Sequence, residues 1–393
     1  MSKITTKDQV WYFVEETTVE TEEAVSSGDE AVGVLEGGAI SINKENLERA
    51  VITDTLGKSK PLSGMHNFAG NVSVEAKAGD TEGEAPEYAP MLKTICAEKL
   101  LASAVTSKAG TPTTTEIPIE DADISSFAIN DIVLIKESGA YHVSPIDSIV
   151  STVGSATITL KYAADSAFTS GVTIAKFANY QPINEGHDTI SIFREQSGDA
   201  DTLTDKVTGA RCSNMALSNF STGQLPQLDF TFQGLNGSRV LTDSGQTPAY
   251  DSSQPPVVLS AYIRANGAAI CLNDFSFTVE DTIGKVTCVT QESGMLSQRI
   301  TDRLVSGTLN PYKEDDSLTL YNLAQNRTTF EIFVAAYVPS TTSGEFDQVT
   351  SYYFPNCVIT ENEEGDVNGV VTENFTFQAF DDGTDPEFIM SYS

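Results

Sequence analysis

A chain of 393 residues with 40% hydrophobic content can bury one large core or two ordinary ones and is not a disordered polymer. Its 55 acids against 23 bases give a formal charge of -32, which argues against any surface that must neutralise phosphates or anionic lipid heads, and so against tight DNA binding. No run reaches the roughly 18 apolar residues of a membrane span, and Met1 to Val14, followed by Glu15-Glu16, is not a secretory signal, so synthesis in a cytoplasm is the expectation.

The first apolar cluster, Val10-Trp11-Tyr12-Phe13-Val14, reads as a first strand packed on the core or as an N-terminal arm for a partner. Residues 15–37 are acidic and glycine-bearing, with valines too scattered for a helix, and read as a solvated or surface-following arm. Leu47 to Asp54 reads as a strand. A long loop with Gly57-Lys58-Ser59-Lys60-Pro61 and Ser63-Gly64-Met65 joins it to Asn71–Ala78, where Val72, Val74, Ala76 and Ala78 alternate with polar residues. After the acidic turn Gly79–Glu84, Pro86 opens a helix in which Tyr88, Met91, Leu92, Ile95 and Cys96 recur at helical spacing.

Composition shifts at Ala109-Gly110-Thr111-Pro112, and the short strands from Ile132 to Ile174, separated by glycine turns, predict a small inserted β-barrel or sandwich over 112–181. It divides a main body of residues 1–111 and 182–393. From Asp188 onward nearly everything is strand. Leu228, Phe230 and Phe232 alternate with Asp229, Thr231 and Gln233, and Asn266-Gly267 is a strong hairpin turn. Lys285–Gln291 and Ser297–Asn310 predict a long hairpin, Ser317–Gln325 a short helix capped by Asp316 or Ser317, and Phe330–Val338 a central strand. The fold class is therefore mainly β with flanking short α-helices. Asn46–Leu101 and Lys285–Val338 share one order of elements, a repeat of pattern without clear residue identity.

Signals for chemistry are weak. His66, His142 and His187 stand far apart, with no metalloprotease, nucleophile-elbow or phosphate-loop motif, so no catalytic, cofactor or metal residue is assigned and the chain is read as no enzyme. The odd count of 5 cysteines, in no paired spacing, suits reduced buried thiols; Cys271 and Cys288 are at most strand neighbours. Asp199-x-Asp201-x-x-x-Asp205 and Glu361–Asn368 are acidic loops that keep open a calcium-stabilised β-rich adhesin or carbohydrate-binding surface protein, although neither matches a calcium-binding helix-loop-helix pattern.

The order of features resembles the major tail tube protein of long-tailed, siphovirus-type bacteriophages. Carrying residues are Glu48-Arg49-Ala50-Val51 through Leu56-Gly57, Leu62-Ser63-Gly64, Gly83-Glu84-Ala85-Pro86, Gly209-Ala210-Arg211-Cys212, Gly223 to Phe232, and Ile300-Thr301-Asp302-Arg303 before Gly307-Thr308-Leu309. The resemblance implies a tail-tube-type β-sandwich or barrel, in one copy or two. It further implies self-assembly into stacked rings around a channel that passes DNA without holding it, in a virion tail built in the host cytoplasm. Tape measure, tail terminator and distal tail proteins are the implied partners. The length leaves six subunits per ring or three subunits carrying two tube domains each. Expected interface residues are Gly57, Lys58, Ser59, Lys60, Gly64, Met65, Arg299, Asp302 and Arg303, with Trp11, Tyr12 and Phe13 in the arm. The hairpins Thr53–Val74 and Glu292–Gly307 are expected to add strands to a neighbour's sheet. Acidity would then line the channel and repel DNA; solubility or a salt-rich habitat explains the same charge.

Overall fold

In the computed structural model, residues 7–51, 57–108, 110, 112–137, 140–152, 154–198, 201–259, 261–291, 293–340 and 346–393 are described. The backbone of the fold is an antiparallel sheet in which eight strands follow one another across the ladder: Ala39–Leu47, Leu62–Glu75, Gln227–Gly234, Thr202–Ser221, Leu272–Thr287, Met295–Pro311, Val370–Ala379 and Phe346–Val367. Period-two alternation gives it two unlike faces. Ile40, Val72, Phe230, Phe232, Phe277 and Phe377 point into a single continuous core, and Ser41, Asn71, Thr231, Thr278, Thr308 and Thr376 lie between them on the other face.

The sheet is built twice over from one plan. Every pair of the first hairpin has a counterpart at a constant offset in the second: Ala39 faces Asn71 as Ser276 faces Thr308, Ile42 faces Phe68 as Val279 faces Val305, and Leu47 faces Leu62 as Gly284 faces Arg299. Both ladders slip register at the same place, next to the Lys44–His66 and Asp281–Arg303 pairs. The later hairpins correspond too. Phe230-Thr231-Phe232-Gln233 occupies the place of Phe375-Thr376-Phe377-Gln378, and the strands opposite them bulge between Cys212 and Asn214 and between Ile359 and Glu361. In each unit a long strand then bends into a second layer. The first part of Thr202–Ser221 pairs with Ile190–Ser197, itself beside Gln9–Glu15; the first part of Phe346–Val367 pairs with Phe330–Pro339, itself beside Tyr262–Ala265. The structural repeat carries a residue identity in this four-residue motif, which lies outside the Asn46–Leu101 and Lys285–Val338 spans whose order of elements suggested a repeat.

The units meet where Asn214–Ser221 of the first pairs with Asp274–Glu280 of the second. Phe275 meets Phe220 edge to face (5.8 Å) and stacks on Phe377 (6.3 Å), so the aromatic core runs through the junction without a break.

They differ in one connection. In the second unit the hairpin leads through the helix Asp315–Asn326 directly to Phe330–Pro339. In the first, the helix Ala89–Lys93 is followed by the strand Cys96–Leu101, which pairs along its length with Phe177–Pro182, and a separate six-stranded sheet lies between Val105 and Ile174. That sheet has its own core around Ile117, Val133, Ile146, Ile158 and Phe177. A bond from Lys108 N to the Pro118 carbonyl (2.8 Å) draws its outer strands together. A third cluster joins Leu134, Val143 and Tyr162 to Phe333, Val349 and Tyr353, fixing this sheet to the main body.

Several expectations from sequence are corrected. Helical spacing over Tyr88–Cys96 yields only five helical residues, Ala89–Lys93, because Cys96 onward is taken into a ladder whose strand pairing outweighs a short helix. The first strand of the hairpin is Ala39–Leu47, and of Leu47–Asp54 the residues from Glu48 to Val51 lie outside any strand; Thr53 and Asp54 fall outside the described residues. The helix Asp315–Asn326 begins after Glu314, with no side-chain cap; Ser317 Oγ instead donates to the Glu314 carbonyl at 2.9 Å. Glu361–Asn368 is a hairpin strand and its turn, not a loop. Asp205 is buried in Thr202–Ser221, held by Arg194 and Arg239, whose guanidiniums bring its carboxyl below the ordinary range although burial acts to raise it. Asp199 falls outside the described residues. The Asn266-Gly267 turn is as expected, with φ of 51° and 76°, as are the long hairpin and the central strand Phe330–Pro339.

Candidate assembly surfaces

Two strand edges of the eight-stranded sheet are exposed. Among the described residues Ala39–Leu47 pairs on one side only, with Leu62–Asn71, and every residue from Asn43 to Leu47 is exposed. At the far end, Glu361–Val367 pairs, among the described residues, only with Val370–Thr376, and Glu361 through Asp366 are exposed. Unpaired backbone of this kind accepts another strand unless charge or distortion prevents it. Of the two strands expected to reach a neighbour's sheet, Phe68–Asn71 and Val305–Leu309 are paired on both sides within the chain, whereas Leu62–His66 and Met295–Leu304, nearer the hairpin tips, have a ladder partner on one side only among the described residues.

The two hairpin tips contrast. At the second, Gly294 packs on the Met65 side chain so closely that an added Cβ would lie 3.0 Å from Met65 Cγ, and His66 N donates to the Ser293 carbonyl at 3.2 Å. Gln298 is held between the Glu20 carboxylate, which accepts from its backbone N (2.6 Å), and the Gly234 carbonyl, which accepts from its side chain (2.8 Å). At the first, Lys58 meets Glu48 at 3.4 Å with both side chains open to solvent, 86% and 79% exposed. Leu47, Leu62 and Met65 stand 47%, 53% and 36% exposed on the same hairpin. Gly57, Lys58 and Lys60 are exposed, Ser59 and Gly64 partly so.

Arg299 and Asp302 are exposed on the second hairpin. Arg303 is a buried strut. Its Nε donates to Asp281 Oδ1 at 3.1 Å and one Nη to the Ile183 carbonyl at 3.0 Å, with His187 Nε2 at 3.2 Å. Burial raises the Asp281 carboxyl, against the pull of Arg303; burial, with Arg303 and Arg211 beside it, pushes His187 down to about 4. Beside this strut a cleft of about 280 Å³ opens between Asn184, His187, Ile300, Asp302 and Glu387. Trp11, Tyr12 and Phe13 are buried in Gln9–Glu15, paired with Ile192–Arg194, and Arg194 lies over the Trp11 ring at 5.5 Å.

The open face of the eight-stranded sheet carries Glu75, Asp229, Glu280, Glu361 and Glu363 among its serines, threonines and asparagines. Strand alternation puts no lysine or arginine on this face over the stretches 69–75, 227–233, 274–280, 306–310 and 374–378. Ser218 Oγ donates to Asp229 Oδ2 at 2.7 Å, and Ser276 and Thr308 hydroxyls share a bond of 2.8 Å, so polar groups of the face bond to one another across strands. Sequence reasoning anticipated acidity without locating it; the alternation of Leu228 to Gln233 was the available signal.

Among the described residues no group of three or more His, Cys, Asp or Glu side chains is arranged to hold a metal ion, and no helix is long and apolar enough to cross a membrane. Cys96, Cys212 and Cys357 are buried, Cys271 is exposed, Cys288 is half-buried, and all five are free thiols. The described residues thus present exposed strand edges and a polar sheet face.

No curated protein matches the chain. A family model described as phage tail tube protein matches residues 6–379, nearly its whole length. The chain therefore belongs to the phage tail tube protein family and is a structural component of the virion tail.

Proposed function

We propose that the chain polymerises into stacked rings around a channel through which phage DNA passes, with the polar, acidic face of the eight-stranded sheet as the channel wall. One observation carries this reading: a continuous sheet whose one face is core, whose other face bears carboxylates and small polar groups, and whose two outer strands are open. Carboxylates release no counterions from a phosphate backbone, so such a wall gives DNA nothing to adhere to.

Two like units per chain favour three chains in a ring over six. The six-stranded sheet of 105–174 is read as a separate module on the tube exterior, since it grows from a connection in the layer behind the wall. Tape measure, terminator and distal tail proteins would meet the tube inside and at its ends.

Electron microscopy of the purified full chain tests this, with hollow tubes or rings expected. A protein that stays monomeric at every concentration and salt tried overturns it. Tubes carrying Thr231→Lys and Thr308→Lys should retain duplex DNA in a salt-sensitive way; parent tubes that retain it equally would remove the channel-wall role from this face.

A further inference from the structure

Inside the chain, the two units meet by a strand pairing whose register is fixed: Asn214 opposite Glu280, Met215 opposite Val279, Ala216 opposite Thr278. Each partner in that junction has a counterpart elsewhere in the repeat. The register slip between Ile359 and Glu361 aligns Glu361, Asn362 and Glu363 with Asn214, Met215 and Ala216. The constant offset of the long hairpins aligns Asn43, Ile42 and Ser41 with Glu280, Val279 and Thr278. These counterparts are the two open edges.

We propose that a second copy of this chain repeats the internal junction: Thr360–Gly365 of one copy pairs antiparallel with Ala39–Lys44 of the next, with Glu361 opposite Asn43, Asn362 opposite Ile42 and Glu363 opposite Ser41. This rests on the ring reading above and adds to it the surface, the partner strand and the register. The pairing continues the wall: Glu361, Glu363, Ser41 and Asn43 fall on its polar face, and Ile42 on its core face. It also covers an edge that would otherwise offer itself to any strand.

The hairpin tips make a second, concordant prediction. Within the chain, the second tip crosses onto the first unit, Gly294 against Met65. By the same offset Gly57 is the counterpart of Gly294, and Asp302 that of Met65. The first tip of the next copy therefore crosses back onto the second unit of the copy whose Thr360 edge it joins, bringing Lys58 and Lys60 to the exposed Asp302. Leu47 and Leu62, on the same hairpin, stand about half exposed in a single chain (47% and 53%).

The test uses the full chain with Cys271→Ser and Cys288→Ser as background, carrying Ser41→Cys and Glu363→Cys together. Directly opposed residues of an antiparallel pair lie about 4.5–5.5 Å apart at Cα, within disulfide reach. Mild oxidation should give a ladder of covalent oligomers on non-reducing gels, absent from either single variant and from a control that replaces Ser41→Cys by Asn46→Cys. In unmodified tubes, carbodiimide coupling followed by mass spectrometry should join Lys58 or Lys60 to Asp302 between copies. Tubes that form and give neither cross-link overturn the proposed register while leaving the ring reading intact. A parent protein that never assembles overturns the ring reading itself.

Discussion

The two units share strands, register slips and a four-residue motif, yet one has its hairpin tip anchored and the other, among its described residues, is exposed. Gly294, Ser293 and Gln298 hold the second tip against the first unit; at the first, the exposed Lys58 and Glu48 pair with each other. The difference teaches that the fold of each unit does not depend on docking its tip, and that an interface can be read from a chain that contains one example of it already made.

The most severe way to probe the likeness is to cut into its centre. Phe232→Ala and Phe377→Ala remove counterpart rings from one shared core and should each cost about 3–5 kcal/mol, with a single cooperative transition in chemical denaturation. Two separate transitions would show units that fold independently. The counterpart glycines sharpen the contrast. A Cβ at Gly307 would lie 2.4 Å from the Ser276 carbonyl and 2.5 Å from the Phe377 ring, whereas at Gly70 the nearest atom is 3.6 Å away. Gly307→Ala should lower stability by about 1–3 kcal/mol through overpacking. Gly70→Ala should leave the melting temperature nearly unchanged.

The tips come next. Deleting Gly57–Pro61 should leave a cooperatively folded protein, by circular dichroism and thermal melting, that no longer forms tubes. Excising residues 289–293 should lower the melting temperature by several degrees, since it removes contacts inside the chain. Equal effects would erase the distinction between an anchored and an open tip.

The smallest effect concerns pH. His187 titrates near 4 in the fold, against about 6.5 when unfolded, so the unfolded chain takes up the proton first as acid is added. Its contribution to stability is full above about 6.5, falls through the window down to 4, and is flat below. His187→Asn should make melting temperature less dependent on pH across that window; an unchanged slope would mean the strut around Arg303 does not sense this histidine.

Much of the sheet was legible in the sequence, because alternation over Gln227–Gly234 and the Asn266-Gly267 turn are local signals. The element order of the two long hairpins was legible for the same reason. What escaped were facts decided by partners far along the chain. Cys96–Leu101 is a strand only because Phe177–Pro182 lies beside it, and Arg303 is an internal strut only because Asp281, Ile183 and His187 converge on it. The edge strands escaped for a further reason: which strand of a sheet is outermost depends on the complete order of pairing, which no window of sequence contains. Phe230-Thr231-Phe232-Gln233 and Phe375-Thr376-Phe377-Gln378 were available as an identity, but four residues gain weight only when matching bulges are seen opposite them.

The connection between helix and strand is short in one unit and houses an entire β module in the other. A cylinder made from such chains would have unequal symmetries inside and out: twice as many repeats facing the lumen as ornaments facing the medium. In such a cylinder the β module could be lengthened, exchanged or lost by recombination at a single site, while the sheet proposed to line it would stay under separate selection.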